Sequence, residues 1–255
     1  MATFILVHGG AHGGWCFQPL ARVLRENGHD VYTPTLTGLG ERAHLFRVDV
    51  DLDCHISDIV AVLHYEDLRD AILVGHSYGG MVITGAADRA SDRVGHRVYL
   101  DAKPPRDGQS LVDVSGPFMT AARADSRVID GVEMCLFPGD DTLPFYGVTD
   151  TGTLEWMRER LTPHPWRCFE QPVKFTNEAA LQAIPQSHIS TTAFMSLRNV
   201  DRLLEQSDGR VWDVDTGHDL MITEPAKVAE LLGQAVDVAQ GHERGRADMR
   251  LRNRL

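Results

Sequence analysis

The chain has 255 residues, 43% of them hydrophobic and 24% charged, and a formal net charge of −11. That length can bury a sizeable core as one large α/β domain or two small ones, and the acidic balance argues against nucleic acid or an anionic membrane as partner, since either would meet long-range repulsion. Cys16, Cys54, Cys135 and Cys168 are widely spaced with no C-x-x-C or zinc pattern, so they read as free thiols of a reducing compartment. The opening MATFILVHGG has no basic segment and too short an apolar run for a signal peptide. No stretch approaches the roughly 18 apolar residues of a membrane span, and a cytoplasmic location is expected.

In chain order, residues 3–8 (TFILVH) form a buried strand running into the loop GGAHGG at 9–14. So much glycine lets backbone N–H groups approach a ligand closely; neither a G-x-G-x-x-G fingerprint nor a phosphate-loop lysine is present. Residues 15–27 carry a helical pattern (Phe17, Leu20, Ala21, Leu24) that stops at Gly28. A strand at 30–34, an irregular loop at 35–47 and a helix at 51–66 follow, the helix with Ile56, Ile59, Val60 and Leu63 on one face. Residues 71–74 (AILV) are a short buried strand, and Gly75-His76-Ser77-Tyr78-Gly79 follows at once, with Met81, Val82 and Ile83 opening a helix.

That pentapeptide fits G-x-S-x-G in a strand-turn-helix context. A serine hydroxyl is a weak nucleophile at neutral pH and needs both a base and a turn that exposes its oxygen. Residues 95–101 (GHRVYLD) give a fourth strand. The alternation of strand and helix argues a mostly parallel sheet of about six strands, covered by helices on both faces. Such sheets place their sites beyond the carboxyl ends of the strands, where His8, Gly10, Ser77 and Asp101 fall.

From 104 to 186 the alternation stops and prolines and aromatics punctuate short segments. This insertion is expected to be a helical cap, with 1–103 and 187–240 as the core. Its aromatics Phe118, Phe145 and Trp156, with His12 and Trp15 of the first loop, are candidates for an apolar substrate pocket. The sheet resumes at 188–192, with helices at 194–206 and 225–239, a strand at 210–215 and a turn at Thr216-Gly217-His218-Asp219. The tail 241–255 holds five arginines without apolar periodicity and is expected to be frayed.

HGGAHGGWCF, GHSYGGM and TGHDLMITEP together resemble the α/β-hydrolase fold, and more narrowly the plant methylesterase and hydroxynitrile lyase group with its bacterial esterase relatives. The resemblance runs from Phe4 to about Leu232 and is thin through the insertion. It implies Ser77 as nucleophile, His218 as base, and the backbone N–H groups of Gly10 and Tyr78 as oxyanion hole. The acid departs from the pattern: plant members carry an aspartate where this chain reads SHISTTAFMSLRN, with no carboxylate before Asp201. Asp101, at the end of the fourth strand, is the favoured acid and Asp201 the substitute.

The implied reaction is hydrolysis of a small to medium apolar ester through an acyl-enzyme. No metal and no cofactor is expected, and the partner is a small-molecule ester. Alternatives are a lactonising or cyclising enzyme on the same site, a small-molecule receptor, and a hydroxynitrile lyase. Asp219 stands where the lyases carry a lysine to hold cyanide, and a carboxylate there opposes release of an anion.

Overall fold

The computed structural model describes residues 1–136 and 143–239. Strand β1 (Thr3–Val7) shows how the sheet is built. Successive side chains of a strand point to opposite faces. Phe4 and Leu6 therefore enter one core cluster, and Ile5 and Val7 enter another on the far side. The first cluster is closed by Leu20 and Leu24 of α1 (Gln18–Glu26) and by Val228 and Leu232 of α13 (Pro225–Ala239). The second is closed by Ile56 and Ile59 of α2 (Leu52–Tyr65) and by Val82 and Ala86 of α3 (Gly79–Arg89).

The other strands of this sheet are β2 (Asp30–Tyr32), β3 (Ala71–His76), β4 (Val94–Leu100), β8 (Gln186–Thr191) and β9 (Val211–Val214). Their order is β2-β1-β3-β4-β8-β9, and every pairing is parallel. Burial on both faces explains why β1 and β3 read as continuous apolar runs rather than alternating ones. The register sets Val7 beside Gly75, His76 beside Leu100 and Leu100 beside Ile189. The residues that follow β1, β3 and β4 thus emerge side by side at one edge of the sheet.

Between β4 and β8 lie α4 (Leu111–Ser115), α5 (Pro117–Ala124), β5 (Arg127–Ile129), β6 (Val132–Cys135), α6 (Leu143–Tyr146), α7 (Thr151–Arg158), β7 (His164–Pro165), α8 (Arg167–Glu170) and α9 (Glu178–Ala183). This insertion is not wholly helical, because β5, β6 and β7 form a separate antiparallel sheet. The signal was Asp130-Gly131: both have positive φ (51° and 80°), as the tight turn of a two-residue hairpin requires.

Other boundaries also move. Residues 14–17 form a 3-10 turn, and α1 begins only at Gln18, with a proline in its first turn. The expected loop at 35–47 contains a 3-10 segment, Gly40–Leu45. The helix expected over 194–206 is two pieces, α10 (Thr192–Met195) and α11 (Val200–Gln206). Asn199 interrupts them by capping α11, its side chain accepting from the Arg202 N–H at 3.0 Å. A short helix α12 (Leu220–Thr223) precedes α13. Among the described residues no helix is long and apolar enough to cross a membrane. The expected frayed tail, 241–255, lies outside the described residues.

Candidate active site

Ser77 sits between β3 and α3 with φ of 51°, a left-handed conformation that costs a non-glycine residue energy and persists only where its surroundings enforce it. Two glycines provide the enforcement by their lack of a side chain. A Cβ on Gly75 would come within 2.5 Å of the Gly79 carbonyl oxygen, and one on Gly79 would strike the Val7 carbonyl. The elbow thus packs backbone against backbone, and Ser77 carries the strain. The Ser77 N–H donates to the Leu100 carbonyl at 3.1 Å, which pins the bend to β4. Asp101 at the end of β4 and Ala11 after β1 also have positive φ (45° and 63°). Strained backbone collects at the same edge of the sheet from three neighbouring strands.

His218 Nδ1 lies 2.6 Å from Asp101 Oδ2. Because a carboxylate only accepts, Nδ1 carries the proton and Nε2 keeps its lone pair. The other oxygen of Asp101 accepts the Thr191 N–H at 2.9 Å. Burial pushes the Asp101 carboxyl up, but the His218 hydrogen bond and charge, with the Thr191 N–H, outweigh it and hold it below the usual range. Asp201 is exposed in the first turn of α11; the carboxylate on His218 is Asp101.

Ser77 and His218 line one cavity of about 30 Å³, together with Gly10 and Tyr78. Neither the Gly10 nor the Tyr78 N–H donates to a protein acceptor among the described residues. The Tyr78 side chain turns away from the cavity. Its hydroxyl donates to His55 Nδ1 at 2.8 Å, while His55 Nε2 donates to the Thr37 carbonyl at 2.9 Å. The rest of the wall pairs the imidazoles of His12 and His76 with an aromatic and apolar side made by Leu111, Phe118, Met119, Phe145, Tyr146 and Phe169. Phe145 lies 4.6 Å from the His218 ring and Phe194 stacks on it at 5.7 Å.

Of the residues expected to line the pocket, Phe118, Phe145 and His12 do so. Trp15 and Trp156 do not. They meet edge to face at 4.9 Å within the α1–α13 side of the core, and Trp15 borders a separate open groove with Glu41 and Arg160. Trp15 stacks on His12 at 5.3 Å and so stands behind the cavity wall rather than in it. His12 also does more than line the wall: it joins the Gly10 carbonyl to Asp219. That link was not legible in the sequence, where the two residues are far apart.

The chain is 37% identical over 247 residues to a carbendazim hydrolyzing esterase of Nocardioides sp. (strain SG-4G), a match covering 91% of this chain and 98% of the relative. It is 25% identical over 258 residues to the pFDCC methylesterase MES16 of Arabidopsis thaliana, covering 93% and 95%. Among solved structures, an extracellular alpha/beta-hydrolase from a Paenibacillus species shares the fold with a TM-score of 0.76 at 24% identity, covering 92% of this chain and 99% of that one. Residues 4–231 match the alpha/beta hydrolase family, and this chain belongs to it.

Proposed function

We propose that this protein is a serine carboxylic ester hydrolase that turns over a small to medium apolar ester through an acyl-enzyme. The observation that carries this reading is the 2.6 Å His218–Asp101 hydrogen bond beside a cavity that Ser77 and His218 share. His218 Nε2 takes the Ser77 proton as the hydroxyl attacks the ester carbonyl. The developing oxyanion accepts from the Gly10 and Tyr78 N–H groups, whose donors are in place before charge appears. His218 then passes its proton to the leaving alcohol, and water repeats the sequence to free the acid. Relatives that carry the name esterase or methylesterase support ester substrates.

Residues 104–186 act as a cap in this scheme, since they supply Phe118, Phe145 and Phe169 to the cavity wall. Phe118, 46% exposed and stacked on Phe145 at 5.3 Å, forms the solvent side of that wall. The four unpaired thiols fit a cytoplasmic setting. Asp219, buried and engaged with His12, puts a carboxylate where the lyases carry a lysine and disfavours the lyase reading.

The test is p-nitrophenyl acetate turnover by wild type and Ser77→Ala, with labelling by a serine-directed phosphonate. Wild type turns over the ester and takes up one phosphonate at Ser77; the variant does neither. An unlabelled Ser77 in a folded protein that binds small esters without hydrolysing them favours a receptor.

A further inference from the structure

The loop bearing Gly10 is held by an arrangement the ester mechanism above does not use. His12 Nδ1 lies 2.7 Å from the Gly10 carbonyl oxygen, and His12 Nε2 lies 3.1 Å from Asp219 Oδ2. Both partners are acceptors without a proton to give, so both ring nitrogens donate and the ring is an imidazolium. The same Gly10–Ala11 peptide is gripped at its other end, where the Ala11 N–H donates to His164 Nδ1 at 3.1 Å. Asp219 immediately follows His218 in sequence and is wholly buried.

We infer that His12 is a positioning residue of the oxyanion hole, kept a double donor by Asp219, and that this pair ties the loop of the base to the loop of the oxyanion donor. The inference rests on the esterase reading. It requires a charged ring because of how one proton would distribute. A neutral His12 beside the Asp219 carboxylate keeps its proton on Nε2, and the Gly10 carbonyl loses its donor. The peptide next to the oxyanion N–H is then held only through the Ala11 N–H, at a residue whose positive φ is already strained.

His218 lines the same cavity and faces Asp219; the other buried groups around the His12–Asp219 pair keep their charge from neutral to mildly alkaline pH. His8 at the end of β1 and His76 at the end of β3 are depressed to about 3 by burial, and His164 of β7 is well below the ordinary range for the same reason. The Tyr146 hydroxyl of α6 and the Cys16 thiol are raised well above theirs, again by burial. Burial lowers His12 too, but the Asp219 charge and hydrogen bond outweigh it and raise His12 above the ordinary histidine value.

The experiment compares kcat, KM and their pH dependence on p-nitrophenyl acetate for wild type, His12→Ala, Asp219→Asn and the double variant. The oxyanion exists only beyond the ground state, so His12→Ala lowers kcat about 10- to 100-fold with KM within about threefold. Wild-type kcat falls on the alkaline side, above the ordinary histidine range, as His12 loses its second proton. Asp219→Asn lowers kcat several-fold and abolishes that alkaline fall: the new amide donates to Nε2, which leaves the proton of a neutral ring on Nδ1, facing Gly10, at any pH. The double variant loses no more than His12→Ala alone, because the two residues act as one device.

An Asp219→Asn profile with the wild-type alkaline fall, or a His12→Ala enzyme with unchanged kcat, overturns the inference. Should the variants not fold, histidine NMR of the wild type decides: the His12 titration must coincide with the alkaline fall in kcat, and a His12 that titrates without moving kcat overturns the inference equally. Failure of the esterase reading is separate, since it shows as absent turnover and an unlabelled Ser77 in the wild type itself.

Discussion

The two oxygens of Asp101 face different partners: Oδ1 accepts the Thr191 N–H and Oδ2 faces His218 Nδ1. Asp101→Asn separates these uses. The amide oxygen can still accept from Thr191, and asparagine tolerates the positive φ at this position. The amide NH₂, however, donates toward Nδ1 and drives the imidazole proton to Nε2, the tautomer that cannot accept from Ser77. A loss of about 10³- to 10⁴-fold in kcat is expected, by analogy with the same change in serine proteases, with near wild-type thermal stability. Asp201→Asn, on an exposed helix turn, is expected to leave kcat within about twofold, as surface changes do. Steady-state kinetics beside a thermal melt check both. Equal losses at 101 and 201 would remove Asp101 from the role of acid.

At the scale of elements, His218 is held by the insertion as much as by the sheet. The His218 N–H donates to the Phe145 carbonyl at 2.9 Å and the Asp219 N–H to the Tyr146 carbonyl at 3.1 Å. Behind them Gly217 lies against Gly147, whose φ is 76°. A Cβ on Gly217 would strike the Gly147 backbone, so Gly217→Ala is expected to pry α6 from the base loop. A displacement of about 1 Å can cost about 100-fold in rate, so we expect kcat to fall 10- to 100-fold with the triad side chains intact, and phosphonate labelling of Ser77 to slow in parallel. Unchanged labelling would show that the loop keeps its place without α6. Legibility in the sequence follows the same division. β1, β3 and the elbow stand out because a doubly covered strand is an unbroken apolar run and a backbone-packed bend needs glycine, and Asp101 stands out because it closes the fourth strand directly after the elbow unit. The hairpin at Asp130-Gly131 was written in plain turn chemistry, but its strands are only three and four residues long and β5 is exposed throughout, so no apolar run marks them. The wall of the cavity and the His12–Asp219 contact depend on residues from distant parts of the chain meeting in space, 207 positions apart in the latter case. Trp15 and Trp156 show the converse, since an indole in a sequence looks the same whether it fills a core or faces a ligand.

Across the whole molecule, the charge that matters most for stability is charge the fold refuses. His8, His76, His96 and His188 are fully buried, and burial depresses each to about 3 from 6.5. In the unfolded chain they take protons as pH drops below 6.5, while in the fold they do not until about 3. Their contribution is therefore intact above 6.5 and lost as pH falls through that interval. At pH 5 one such group shifts the balance by about 2 kcal/mol, and several together rival the roughly 5–15 kcal/mol that holds a typical domain folded. The His12–Asp219 pair works in the other direction. Its histidine is raised and its aspartate lowered, so it stabilises fully between about pH 4 and 6.5 and fades outside that range. One pair does not offset four buried neutral rings. Urea unfolding at pH 7, 6 and 5 is thus expected to show stability dropping steeply on the acid side, well above the pH at which exposed carboxylates protonate. His96→Gln is the control, since that ring lies at the β4–β8 pairing with Nε2 on Ser187 Oγ at 2.8 Å, away from the cavity. It should flatten the acid slope by about one proton while leaving kcat on p-nitrophenyl acetate unchanged, and a slope indifferent to this change would assign the acid lability to groups other than the buried imidazoles.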